Sequence, residues 1–147
     1  MRALLQRVSE ATVAVNGDTI GSIQAGLLVF LGIAEEDGPE DLDHLLKKIP
    51  ALRIFEDENG KMNLSLADKG GSILVISQFT LIADTAKGNR PSFFRAAKPE
   101  KAEGLYKEFV ARLRVSGLKV QTGRFGADMK VRLLNDGPVT ILLDTRE

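Results

Sequence analysis

Cysteine is absent from this 147-residue chain, and with it go disulfides, thiol nucleophiles and thiolate metal sites. Tryptophan is absent too, tyrosine occurs once and histidine once, as His44. A serine triad needs a histidine base, and the only candidate, His44, falls within the acidic helical segment off its apolar face and reads as a surface residue; a zinc site from His44 and nearby carboxylates would lack a second imidazole and any thiolate. No metal or cofactor is expected. Net charge is also missing: twenty basic residues balance twenty acidic ones, so contact with nucleic acid has to come from a local patch. No apolar run approaches the roughly twenty residues of a membrane span, and the N-terminus shows no secretory pattern, which makes the cytoplasm the default location. Neither a phosphate-binding loop nor a dinucleotide fingerprint occurs, because Gly123-Arg124-Phe125-Gly126 lacks the spacing and the strand-to-helix setting.

What is present suits one globular domain over residues 1–147, with 44% hydrophobic and 27% charged residues. Leu4 to Val8, Thr12 to Val15 and Gly26 to Ala34 read as antiparallel strands, with Asn16-Gly17 as a type I′ hairpin signal. A helix is predicted from about Gly38 with Pro39 in its first turn, placing Leu42, Leu45, Leu46 and Ile49 on one face until Pro50 ends or bends it. Asn59-Gly60 marks a second hairpin, between Leu52 to Phe55 and Met62 to Leu66, and Ser72 to Ser77 is apolar enough for a strand buried on both faces. Periodicity then stops from Ile82 to Lys98. A second helix follows over Pro99 to Val115, where Ala102, Leu105, Tyr106, Phe109, Val110 and Leu113 recur at helical spacing. Leu118 to Gln121, Lys130 to Leu134 and Val139 to Asp144 close the chain as three strand candidates.

The last two flank Gly137-Pro138. Neither residue suits the middle of a strand, and an X-Pro bond is one of the few places where a cis peptide is affordable. The dipeptide reads either as a rigid corner that turns carbonyl oxygens in one direction or as an ordinary trans loop. Charge is unevenly spread: Lys87, Arg90, Arg95, Lys98 and Lys101 face Glu100 alone, whereas Glu35 to Asp43 is acidic throughout, giving one basic and one acidic end. Ser77-Gln78-Phe79-Thr80 stands where the buried strand meets the irregular segment, and its hydroxyls, amide and backbone N–H groups suit a carbonyl or ester. Hydroxyls at a strand end also commonly bond the adjacent backbone.

Four segments taken together, Ser77 to Leu81, Lys87-Gly88-Asn89-Arg90-Pro91-Ser92-Phe93, Gly123 to Met129 and Asn135-Asp136-Gly137-Pro138-Val139-Thr140, resemble the D-aminoacyl-tRNA deacylase family over nearly the whole chain. The resemblance implies a mixed α/β fold, a largely antiparallel, curved, barrel-like sheet with two main helices, assembled as a homodimer. It implies hydrolysis of the ester between a D-amino acid and tRNA, and removal of glycine mischarged onto tRNA for alanine. Gly137 and Pro138 would form a cis corner inserted into the partner's site as a gauge that rejects L-substrates, facing a wall of Ser77, Gln78, Phe79 and Thr80. Phe125 and Met129 would seat the terminal adenosine or pack the core, and Lys87, Arg90, Arg95 and Lys98 would meet tRNA phosphates or simply remain solvated. Thr80 is expected to position water rather than form an acyl-enzyme, the ribose 2′-hydroxyl assisting. A non-catalytic dimeric RNA-binding module and a hydrolase of small esters are the alternatives.

Overall fold

A computed structural model describes residues 1–147. The element order is β1 (Arg2–Val15), β2 (Asp18–Ile23), β3 (Gly26–Gly32), α1 (Pro39–Ala51), β4 (Phe55–Glu56), β5 (Met62–Leu64), α2 (Leu66–Lys69), β6 (Ser72–Ser77), a 3-10 turn (Phe79–Ile82), α3 (Pro99–Val115), β7 (Lys119–Thr122) and β8 (Lys130–Asp144). Both main helices sit where their periodicity places them, and Asn16 and Gly17 both adopt positive φ, as a type I′ turn requires. The short helix α2, capped by the Ser65 hydroxyl on the Asp68 N–H, was not anticipated.

β1 organises the sheet. Its N-terminal half pairs antiparallel with β3 and its C-terminal half with β2, while β8 runs antiparallel along both halves. β6 then adds to β3 in parallel and β7 to β6. β2 returns against β6 and β7, so the six strands curl into a nearly closed barrel, mixed α/β in class as expected. β6 is buried on both faces. Ile73 and Val75 face the main core with Leu42, Leu45 and Ile49 of α1 and Phe109 and Leu113 of α3, whereas Leu74 and Ile76 join Val8, Val13, Ile23 and Leu28 in a second cluster. Each such fully buried side chain contributes about 1.5–3 kcal/mol.

Three readings of the sequence are corrected. Leu4 to Val8 and Thr12 to Val15 are one continuous strand, β1. Lys130 to Leu134 and Val139 to Asp144 are also one strand, with Gly137-Pro138 inside it. The reason is visible in the register: Gln6 pairs with Thr140 and Val8 with Asn135, so Arg7 alone stands opposite the bulged segment Asp136 to Val139. Pairing with β1 on either side carries the strand across a dipeptide that breaks strands locally. Finally, the acidic and basic runs are neighbours rather than opposite ends. Glu36 pairs with Arg95 at 3.0 Å, the Glu35 carboxylate accepts from the Lys98 N–H at 3.1 Å, and the Glu35 carbonyl accepts from the Lys101 ammonium.

Candidate functional site

The main cleft opens where β6 ends. The Gln78 N–H still donates to the Leu31 carbonyl at 2.8 Å, but the backbone then leaves the sheet and closes the 3-10 turn, with the Leu81 N–H on the Gln78 carbonyl at 3.2 Å and the Ala83 N–H on the Thr80 carbonyl at 3.1 Å. Gly32 makes this approach feasible. A Cβ there would stand 2.9 Å from the Leu81 Cβ and 3.0 Å from the Gln78 carbonyl oxygen, so any larger residue would push the turn off β3. At the head of the turn the Phe79 and Thr80 N–H groups are the first of the helical turn, where no preceding turn carbonyl accepts from them. Two open donors at the rim of a cleft are what a developing oxyanion needs. The Gln78 side-chain amide donates to the Thr80 hydroxyl oxygen, fixing that side chain and leaving its own proton free to reach outward.

The cleft measures about 680 Å³, inside the range of about 300–1,000 Å³ typical of small-molecule sites. Ser77, Gln78 and Phe79 line it together with Phe125 and Met129. Phe93 packs edge-on against Phe79 with centroids 5.0 Å apart, and Lys98 stands at the start of α3. Phe125 also leans on Tyr106 at 6.0 Å, and Met129 on the second core cluster, so both residues serve core and cleft at once. The Tyr106 hydroxyl donates to the Val75 carbonyl at 2.8 Å, and burial pushes its pKa up to about 12, keeping it neutral. Asp128 is the one carboxylate in the lining, and Lys130 holds it at 3.0 Å. No histidine lines the cleft, and His44 lies exposed on α1.

Thr80 is exposed next to the cleft rather than in its lining. Lys87, Arg90 and Arg95 lie on the exposed irregular segment, with only Lys98 of the four cations at the cleft itself. Gly137 and Pro138 are elsewhere altogether: joined by a cis peptide, they stand exposed on the β8 bulge and do not line the cleft of their own chain.

The bulge is held by a residue that the sequence reading missed. Arg7 is buried, its Nε donating to the Asp136 carbonyl at 2.8 Å and its Nη1 to the Ile54 carbonyl at 2.7 Å. Asn135 completes the clasp, its Oδ1 accepting from the Val139 N–H at 2.9 Å and its Nδ2 donating to the Thr140 hydroxyl at 3.0 Å. A signal existed: Ala3, Leu5 and Arg7 share the inward face of β1, and an arginine at an inward strand position has to find carbonyls or a carboxylate.

Residues 4–144 match the family model described as D-Tyr-tRNA(Tyr) deacylase. The chain is 58% identical to a D-aminoacyl-tRNA deacylase of Thermotoga petrophila over 145 residues, covering 99% of this chain and 97% of that one. It is 59% identical to a D-aminoacyl-tRNA deacylase of Shewanella sp. strain MR-4, covering 97% and 99%. Among solved structures it superimposes on the c-Myc DNA Unwinding Element Binding Protein with a TM-score of 0.93 at 46% identity, covering 99% of both chains. A structure described as a "probable eukaryotic D-amino acid tRNA deacylase" shares the fold, with a TM-score of 0.83 at 20% identity over 97% of both chains.

Proposed function

The chain belongs to the D-Tyr-tRNA(Tyr) deacylase family, and from that premise we propose that it hydrolyses the ester of D-aminoacyl-tRNA in the cytoplasm as a homodimer whose subunits complete each other's sites. The observation that carries the shared-site reading is the separation of the Gly137-Pro138 corner from the cleft of its own chain. β8 pairs only with β1, so its outer edge is free, and exposed Leu133, Leu134 and Leu142 accompany the corner on that strand. An unpaired apolar edge favours a second copy of the strand.

Inverting an α-carbon exchanges hydrogen and side chain but leaves charge and bonding groups unchanged. Attraction therefore discriminates poorly, and a stiff wall that collides with one hand discriminates well. Presented to the partner's cleft, the carbonyls of the corner accept the substrate ammonium and exclude an L side chain. Glycine carries no side chain to exclude, so glycyl-tRNA for alanine is a substrate as well. Phe125 and Met129 hold the terminal adenosine, while Lys87, Arg90, Arg95 and Lys98 follow the acceptor phosphates.

In the reaction, a water oxygen bonds to the ester carbonyl carbon, the bond from that carbon to the ribose oxygen breaks, and the ribose oxygen takes a proton. Ser77, Gln78, Phe79 and Thr80 contribute position and charge stabilisation: the free N–H groups of Phe79 and Thr80 receive the oxyanion, and the Thr80 hydroxyl, oriented by Gln78, places the ester or water. The ribose 2′-hydroxyl helps activate water. No protein base is within this machinery, and no acyl-enzyme forms on Thr80.

Incubating the protein with D-tyrosyl-tRNA and L-tyrosyl-tRNA tests the reading. Rapid loss of the D ester alone is expected. Equal background loss of both would leave only an RNA-binding module, and turnover of small esters without tRNA would indicate a general esterase. A Gly137→Arg chain mixed with a chain carrying Phe79→Arg should recover activity through hybrid dimers; failure of hybrids to recover it removes the shared site.

A further inference from the structure

Phe94 is 92% exposed, the most exposed large apolar side chain of the molecule, yet the backbone beneath it is firmly tied. The Ala96 N–H donates to the Phe93 carbonyl at 3.0 Å, Ser92 and Asp84 exchange backbone bonds of 2.8 and 2.9 Å, and the Glu35 N–H donates to the Arg95 carbonyl at 2.9 Å. Its neighbour Phe93 points the other way, onto Phe79 and into the cleft. A ring held in water by an ordered turn adds nothing to folding, so the turn presents it to something. Around it the same segment supplies Arg90, Arg95 and Lys98. A flat apolar face among cations, continuous with the cleft mouth, is the chemistry that binds unpaired bases on a phosphate backbone.

We propose that Phe94 is a stacking platform for the unpaired nucleotide that precedes the terminal adenosine of the tRNA, a contact outside the hydrolytic cleft. The proposal rests on the deacylase reading for the identity of the strand and extends it by one base. Phe93 lines the same cleft as Phe125 and Met129, and consecutive residues put the Phe94 Cα only about 3.8 Å from that of Phe93, so Phe94 stands beside the cleft that takes the terminal adenosine. The ring therefore meets the next base, and the cations of the segment meet its phosphate. The contact favours binding and leaves the reacting ester untouched.

Two measurements test it. With D-tyrosyl-tRNA, Phe94→Ala should raise KM about tenfold, a typical consequence of losing one base-aromatic stack, with kcat unchanged, and Phe94→Tyr should restore it. With D-tyrosyl-adenosine, which lacks the preceding nucleotide, wild type and Phe94→Ala should be indistinguishable. An acceptor minihelix carrying 2-aminopurine in the penultimate position should lose fluorescence on binding wild type or Phe94→Tyr and keep it with Phe94→Ala. An unchanged KM, an equal defect on D-tyrosyl-adenosine, or a change of oligomeric state in Phe94→Ala overturns the proposal. If wild type spares the D ester but the quench still depends on residue 94, the hydrolytic reading fails and the stack stands. If hydrolysis is D-selective and neither measurement responds to Phe94→Ala, the stack alone fails.

Discussion

The turn after β6 and the bulge in β8 are built from the same material, main-chain amides and carbonyls, but they use it in opposite ways. At the turn, the Phe79 and Thr80 N–H groups are left open beside a concave, mostly apolar cleft. At the bulge, the Asp136 carbonyl is taken by Arg7 at 2.8 Å and the Val139 N–H by Asn135 at 2.9 Å, beneath the exposed Gly137 and Pro138. Open donors suit a region that must answer charge as it develops. Satisfied groups suit a region whose contribution is a fixed outline.

The sharpest way to break the contrast is to unfasten the bulge from below. Arg7→Ala removes two charge-assisted bonds and leaves the Asp136 and Ile54 carbonyls short of partners, at a cost of about 3 kcal/mol in urea unfolding. D-tyrosyl-tRNA hydrolysis should fall at least about 100-fold, because even a displacement near 1 Å costs that much. Retained activity with full destabilisation would mean that the outline of the bulge is irrelevant to the chemistry.

Gly137→Ala attacks the same outline from above. Gly137 sits at φ 144°, which L side chains rarely adopt, and a Cβ there would meet the Val139 Cγ2 at 2.7 Å and the Arg7 Nη2 at 3.0 Å. Stability should drop by about 1–3 kcal/mol. Activity should fall further than the stability loss explains, with adenosine binding to the cleft unaltered by titration.

The cleft side is probed by charge. Lys98→Glu, at the cleft, should weaken tRNA binding and lower the salt dependence of affinity by about one ion, and Arg90→Glu should do the same from the exposed segment. Arg95→Glu should do less, since Glu36 already engages that guanidinium at 3.0 Å. Equal effects at all three would show that the patch acts as a diffuse field.

The smallest effect is expected at the end of β8. Burial works against the charge on Asp144, but its bond from the Arg2 guanidinium at 2.7 Å and the Arg146 N–H outweigh it and hold the carboxyl below its ordinary value. A carboxylate depressed in the fold stabilises above its unfolded pKa, about 3.9, and that stability disappears as pH falls through the lower folded value. Asp144→Asn should therefore lower the urea midpoint at pH 7 and leave it unchanged near pH 2, by less than about 1 kcal/mol because Arg2 remains accessible to water. Cleft geometry should not follow this titration.

Legibility in the sequence tracks how local each cause is. The helices α1 and α3 were readable because their apolar spacing, Pro39 and Pro99 act within a few residues. β6 was readable because an apolar run buried on both faces leaves its own mark. The continuity of β8 was not, since it depends on β1 supplying partners on both sides of Gly137-Pro138. Arg7 is marked only by its alternation with Ala3 and Leu5, a signal that becomes decisive once the strand register is known. The meeting of Glu35 and Glu36 with Arg95, Lys98 and Lys101 is a long-range event for which charge runs carry no signal. Of the candidate site, the segment Ser77 to Thr80 was visible as a strand end, whereas the open N–H groups at its head belong to the backbone and have no letter in the sequence.

Arg7 has a consequence for how this chain can change. Side chains along β1 alternate between two faces, so the guanidinium lies beneath the bulge in only one of two phases. Deleting one residue between Ala3 and Arg7 would bring Val8 into its place without altering the sequence of any turn or helix. A lineage that lost such a residue would carry its first strand out of step with its last.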